Sequence, residues 1–327
     1  MSISAADVSK LRKATNAGMM DCKKALEESG GDFDGAIDYL KKKGQKVAAK
    51  RADRDANEGV VVTKVNDGGT KGVVMALSCE TDFVAKNDDF IAFANEIAQL
   101  AFDNDADSAE AVLALQFDGM PVSEKLVEKT GTIGEKLEIS EYKKIEGDKL
   151  ANYIHAGSKI GVLMSYKDGG ADGADKFFRT VAMHIAAMSP SILRPEEFDA
   201  DFVAKETEAL QAQIKAENEL NEAENLGKPM KNVPEYASKL QLTPDVLAAA
   251  EAKIKEELKA EGKPEKIWDK IVPGKLERFI SDNTLLDQER CLLSQSFALD
   301  DTKTVEAAIK DFHAEAEIVE FTRAAVG

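Results

Sequence analysis

His155, His184 and His313 are the only histidines of the chain, and Cys22, Cys79 and Cys291 are its only cysteines. Their ordinary pKa values lie nearest neutral pH, so these six side chains are the first candidates for acid–base or nucleophilic chemistry. His184 shares an apolar helical face with Phe177, Val181, Ile185 and Met188, the setting of a buried, hydrogen-bonded core imidazole. His313 stands apart beside Phe312, and His155 opens a tight turn, Tyr153-Ile154-His155-Ala156-Gly157. No Ser/His/Asp order, no Gly-x-Ser-x-Gly, no Gly-x-Gly-x-x-Gly and no P-loop accompanies them. The cysteines are odd in number and far apart, which argues against a disulfide framework or a zinc site and fits a reducing compartment. Asp103-Asn104-Asp105-Ala106-Asp107 is rich in carboxylates but lacks the glycine and the bidentate glutamate of a calcium loop. The sequence therefore predicts no catalytic residue, no metal, no cofactor and no enzyme.

The chemistry left is recognition, and one stretch concentrates it: Ser78-Cys79-Glu80-Thr81-Asp82-Phe83-Val84-Ala85-Lys86-Asn87. Before it, Gly72-Val73-Val74-Met75-Ala76-Leu77 is apolar and β-prone. After it, Phe90, Phe93, Ala94, Ile97, Ala98 and Ala101 recur at helical spacing, with Asn87 or Asp88 as the cap. Phe83 thus lies in a short loop between a strand and a helix. An aromatic residue there is either tucked under its own loop or offered to a partner.

The elements that must carry this loop fall into an α+β pattern. Residues 1–54 read as three helices, 4–15, 19–29 and one opened by Asp32 or Asp34 that ends at Lys41-Lys42-Lys43-Gly44, giving a UBA-like module. Apolar stripes run through Val8, Leu11 and Ala14, through Met20, Ala25 and Leu26, and through Ile37 and Leu40. Asn16-Ala17-Gly18 marks a turn and Gly30-Gly31 another. Of the neighbours Met19 and Met20, one can face the core while the other, about 100° round the helix, cannot easily do so. Residues 46–57 are charged and Ala-rich and read as a linker. This head carries a net charge of +4 within a chain of net −17, so the remaining body carries −21.

The core then repeats itself. Strands over 59–65 and 71–77 lead to the loop and the Phe90 helix. Strands over 151–155 and 160–166 lead to a helix over 177–188. The second passage has Asp168-Gly169-Gly170-Ala171, without an aromatic, where the first has Thr81-Asp82-Phe83-Val84. Between the passages, 102–148 is polar and helix-prone. From 196 to about 270 the composition shifts to Ala, Glu and Lys, with helices over 202–221 and 243–260 as an antiparallel hairpin. A strand over 291–298, a helix over 304–313 and a strand over 316–323 follow. The predicted boundaries are 1–54 head and linker, 55–148 core subdomain N, 149–195 core subdomain C first part, 196–274 a coiled-coil-like helical insert, and 275–327 core subdomain C second part.

At 327 residues two or three domains are expected, and 43% hydrophobic content supplies ordinary cores. No run of 18 apolar residues occurs and the start has no basic or apolar leader, so a cytoplasmic protein without a membrane partner is expected. The acidic balance argues against direct binding of nucleic acid.

Two stretches resemble elongation factor Ts, the guanine-nucleotide exchange factor of elongation factor Tu. One is Thr81-Asp82-Phe83-Val84-Ala85-Lys86; the other runs Leu11-Arg12-Lys13-Ala14-Thr15-Asn16-Ala17-Gly18-Met19-Met20-Asp21-Cys22-Lys23-Lys24-Ala25-Leu26. The resemblance implies that Thr81, Asp82, Phe83 and Val84 reach into the GTPase and dislocate its Mg²⁺. It implies further partner contacts at Arg12, Met19, Met20 and His155, two related core subdomains, and a projecting helical hairpin able to form a homodimer. The partner would be elongation factor Tu, both GDP-bound and nucleotide-free. Residues 262–279 resemble the return arm of the family's hairpin, about 217–258 match nothing in it, and the family's further C-terminal helix has no counterpart before Gly327. The competing reading is a UBA-like adaptor or scaffold without exchange activity.

Overall fold

The structure is a computed structural model that describes residues 3–15, 17–224 and 227–327; Asn16 of the expected first turn lies outside the described residues. The chain divides into two compact units, Met1–Ala186 with Glu317–Gly327, and Ala187–Ala316.

The first unit opens with α1 (Ala5–Thr15), α2 (Met19–Glu28) and α3 (Phe33–Arg51). Ser4 and Asp7 form the reciprocal cap expected for α1, each accepting the other's N–H at 3.2 Å. Asp32 caps α3 by accepting from the Gly35 N–H at 2.9 Å. Val8, Leu11, Cys22, Ala25, Leu26 and Ala36 make the core of the three helices. Ala14 and Met20, expected on the stripes, face outward instead. The third helix does not stop at Gly44 but continues to Arg51, so the first half of the expected linker is helical.

Next come β1 (Glu58–Val65), β2 (Lys71–Cys79), the single turn α4 (Asp82–Ala85) and α5 (Asp88–Asp103). The loop expected around Phe83 is thus partly helical. Then follow α6 (Ala109–Ala114), the short pair β3 (Gln116–Phe117) and β4 (Met120–Pro121), α7 (Val122–Ile133) and β5 (Glu138–Glu146). The second passage is β6 (Lys149–Ile154), β7 (Ile160–Lys167) and α8 (Ala174–Met188).

In the second unit lie α9 (Ala200–Ala223), α10 (Pro244–Ala260), α11 (Trp268–Asp282), α12 (Leu285–Arg290), β8 (Ser296–Phe297), β9 (Asp300–Thr304) and α13 (Val305–Phe312). The chain returns to the first unit as β10 (Glu317–Ala325).

Two antiparallel sheets of three strands result, β1-β2-β5 and β10-β7-β6. The β1–β2 hairpin pairs Val60 with Leu77 and Val62 with Met75. Alternation along these strands serves two cores. Val60, Val62, Met75, Leu77 and Cys79 pack with Phe90, Phe93, Ile97 and Ala101 of α5. Val61, Val74 and Ala76 pack with Ile145, Leu163 and Ala324 between the sheets. There the sheets come close: a Cβ at Gly161 would lie 2.5 Å from a Val61 methyl. On the other face of β7, Tyr166 stacks on Phe178 of α8 at 3.9 Å. Phe178, not Phe177, is the buried one of that pair, one residue off the expected face, and Met188 is exposed. His184 is buried, as its position on the apolar face predicts.

The second unit departs most from expectation. The partner of α10 is α11, with Ile254 and Leu258 against Trp268, Val272 and Leu276; the arm pair is not α9 with α10. The reason lies on α9. Gln211, Asn218 and Asn221 donate side-chain amides to the carbonyls of Pro234, Lys231 and Lys228 at 2.9, 2.8 and 2.6 Å, so an extended segment covers that side of the helix. The expected strand over 291–298 is a 3-10 turn, Leu292–Ser294, followed by a two-residue strand. The Leu292 N–H donates to the Ile192 carbonyl and the Cys291 thiol to that of Leu193, which pins this stretch to the segment that follows α8.

Candidate partner-binding site

β2 ends at Cys79, whose thiol donates to the Thr81 carbonyl at 3.2 Å. Burial pushes this thiol up to about 12, with the Glu135 charge adding to it, so Cys79 is a packing group and not a nucleophile. The chain then makes one helical turn. Ala85 is buried and Val84 half-buried against the α5 core, while Asn87 caps α5 by accepting from the Asp89 and Phe90 N–H groups at 2.9 and 3.3 Å. With the inward positions filled, Phe83 is left outside and is 83% exposed. Of the two outcomes for this aromatic, the structure places it outward. Asp82 accepts from Lys86 at 2.7 Å. That bond, and more weakly the nearby Lys159, holds its carboxyl below the ordinary aspartate range.

Arg12 and Phe83 line the same concavity, of about 400 Å³, together with Val84, Asn87, Asp89, Phe90 and Phe93 and with Lys129, Thr132 and Ile133 of α7. The two stretches singled out in the sequence therefore meet at one surface. Met19 and Met20 do not line it. They sit at the start of α2 and both point outward, 60% and 73% exposed, because Cys22, Ala25 and Leu26 take the core positions of that helix. His155 is also exposed, 3.1 Å from the Tyr153 hydroxyl. Its turn abuts the first sheet: the Ser158 carbonyl accepts from the Val61 N–H at 2.7 Å, and Lys159 pairs with Glu58.

What holds the Phe83 turn was not legible as a motif. Glu135, just after α7, accepts from the N–H groups of Glu80 and Thr81 at 3.1 and 3.0 Å and from the Thr81 hydroxyl at 2.7 Å. The Glu80 carboxylate in turn accepts from the Lys136 N–H at 2.7 Å and from Arg51 of α3, with both oxygens 2.7 Å from one guanidinium nitrogen. Arg54 lies 3.4 Å away. Glu80 and Glu135 are remote in sequence and belong to no recognisable spacing, so only the fold brings them together.

The Glu80 side chain is only 11% exposed. Burial alone would raise its carboxyl; the Lys136 N–H, Arg51 and Arg54 outweigh that and hold it below the ordinary glutamate range. Stability from these bonds is therefore complete above the unfolded carboxyl's value, about 4.3, and is lost as the pH falls through the lower folded value. In urea titrations the parent should be more stable than Glu80→Gln at neutral pH and should lose that advantage below about pH 4.3. Curves that stay parallel into acid would contradict the assignment.

Among the described residues no group of three or more His, Cys, Asp or Glu side chains is placed to hold a metal ion, and no helix is long and apolar enough to cross a membrane. The arrangement presents an exposed apolar side chain at a concavity lined by two cations, Arg12 and Lys129, and one carboxylate, Asp89.

The family profile described as Elongation factor TS matches residues 80–233 and 230–327. Elongation factor Ts of Rhodopirellula baltica is 71% identical over 324 residues, covering 99% of both chains. Elongation factor Ts of Flavobacterium johnsoniae is 49% identical over 325 residues, again covering 99% of both, and that of Sulfurovum is 46% identical over 331 residues, 98% of this chain and 93% of the relative.

Proposed function

The chain belongs to the elongation factor Ts family, and from that premise we propose that it binds elongation factor Tu in its GDP-bound form and drives release of GDP. The observation that carries this reading is an aromatic side chain, Phe83, held 83% exposed on a fixed turn. Arg12, Met19 and Met20 dock the head on the GTPase, and His155 contacts it from the second sheet. Thr81, Asp82, Phe83 and Val84 enter near the phosphate end of the nucleotide site and displace the segments that hold the partner's Mg²⁺. GDP and the ion then leave together, a nucleotide-free complex forms, and GTP displaces the factor. No covalent bond is made or broken, so the factor needs no catalytic residue and no cofactor of its own. The reaction takes place in the cytoplasm, without direct contact to nucleic acid or membrane.

Release of a fluorescent GDP from elongation factor Tu, followed with and without this protein, tests the reading. Acceleration that grows with protein concentration and saturates is the expected result. Tight binding with no change in the GDP off-rate would favour the UBA-like adaptor instead.

We assign self-association to the paired helices α10 and α11. They border a groove of about 650 Å³ floored by Val246, Ala250, Ile254 and Phe279. Asp245 and Asp282, at the two ends of this arm, both line the groove, so a short Gly/Ser loop can replace residues 244–282. That variant should release GDP within about twofold of the parent, a difference of ~0.4 kcal/mol, and light scattering should report a monomer. A large loss of exchange would mean that the arm touches the GTPase.

A further inference from the structure

Two carboxylates tie the residues that begin the Phe83 turn to those that follow α7. Glu135 accepts from the N–H groups of residues 80 and 81; Glu80 accepts from the N–H of residue 136. Each is met by donors: three from the turn on Glu135, and on Glu80 the guanidinium groups of Arg51 and Arg54 besides the Lys136 amide. Hydrogen bonds to an ionised acceptor are the short, strong class, and bonds in both directions between two segments fix their separation and their register. The Thr81 hydroxyl has a further consequence. Thr81 stands at the N-cap of α4 but makes no side-chain cap bond, since its oxygen is turned to Glu135 at 2.7 Å. The start of the turn is therefore anchored from outside the turn. Arg51 belongs to α3, so the same clasp ties the last turn of the head to the segment that carries Phe83.

We propose that Glu135 is a positioning residue for the partner-binding turn: its reciprocal clasp with Glu80 holds Phe83 outward before the partner arrives and fixes the head relative to it through Arg51. Preorganisation of this kind lowers the ordering cost of binding. It does so most in the step where Phe83 must be driven into the partner, which separates it from the docking step. The proposal rests on Phe83 being the element that couples binding to GDP release.

Glu135→Ala removes all three bonds to the turn. Glu135→Gln keeps one oxygen for the two N–H groups and can donate its amide to the Thr81 hydroxyl, so it restores the geometry without the charge. GDP release from elongation factor Tu is titrated with each variant to give a maximal rate and a half-saturating concentration. Hydrogen exchange of the Glu80, Thr81 and Lys136 amides is followed in the free proteins. Glu135→Ala should lower the maximal rate about tenfold, equivalent to ~1.4 kcal/mol, while half-saturation moves less than about threefold. The three amides should lose protection while those of 74–77 keep theirs. Glu135→Gln should recover most of the rate, and Thr81→Val, which deletes only the hydroxyl bond, should fall between. Full maximal rate in Glu135→Ala, or unchanged protection of Thr81, would overturn the proposal. So would a loss in Glu135→Ala that Glu135→Gln fails to restore although both melt alike. Failure of the parent itself to release GDP would overturn the functional reading instead, and the amide protection would still report whether the clasp exists.

Discussion

Phe83→Ala is expected to slow GDP release from elongation factor Tu by one to two orders of magnitude and to leave the melting temperature of this protein unchanged within about a degree. The two halves of that expectation have one cause. Phe83 is 83% exposed, so its ring contributes almost nothing to the folded core, and removing it opens no cavity. Burying such a ring in a partner is worth roughly 1.5–3 kcal/mol, which corresponds to about 10- to 150-fold in an equilibrium or a rate. That energy accelerates release only if the ring gains more in the nucleotide-free partner than in the GDP-bound one. Linkage then demands that GDP weaken this protein's affinity for the partner by the same factor, and in Phe83→Ala that factor must shrink. Stopped-flow release and titration calorimetry with and without GDP measure both sides of the cycle. A variant that melts several degrees lower and still exchanges nucleotide would make Phe83 a core residue and remove the basis for the wedge.

The sequence alone does not decide where this ring points. Thr81-Asp82-Phe83-Val84 between a strand and a helix is compatible with a tucked or an offered ring, since both leave the flanking periodicity intact. The choice is made by Ala85 and Val84 filling the inward positions and by the Asn87 cap that fixes where α5 begins. Elements with strong local signals were legible close to their ends: the β1–β2 hairpin, α5, α10 behind its Thr243 cap and α13 behind Thr304. Strand β5 is not legible because Glu138, Ser140, Glu141, Lys143 and Glu146 make it read as polar surface; it is an edge strand whose register is set by β2. The third helix reads as ending at Gly44 because a glycine behind three lysines is the usual local mark of a helix end. Long-range packing overrides that mark.

That packing carries the second large prediction. Gly44 of α3 faces Gly131 of α7, and the two backbones touch without side chains between them. The contact is not symmetric. A Cβ added to Gly44 would lie 3.5 Å from the Gly131 Cα and the Val127 carbonyl, ordinary contact distance. A Cβ added to Gly131 would fall inside the van der Waals sphere of the Gly44 Cα, a backbone atom that cannot turn aside. Alanine in place of a mid-helix glycine gains about 0.5–1 kcal/mol of helix stability at Gly44, and less at Gly131, which lies in the last turn of α7. At Gly131 overpacking costs about 1–3 kcal/mol against that gain; at Gly44 nothing opposes it. Gly131→Ala should therefore lower the melting temperature by several degrees, and Gly44→Ala should leave it unchanged or raise it slightly. Because α3 ends in Arg51, which holds Glu80 beneath the Phe83 turn, a displaced α3 should also cost Gly131→Ala much of its exchange rate, and amide exchange along α3 should quicken. Equal melting temperatures for the two alanine variants would mean that the helices part freely at this crossing, and that the head is not held to the turn by it.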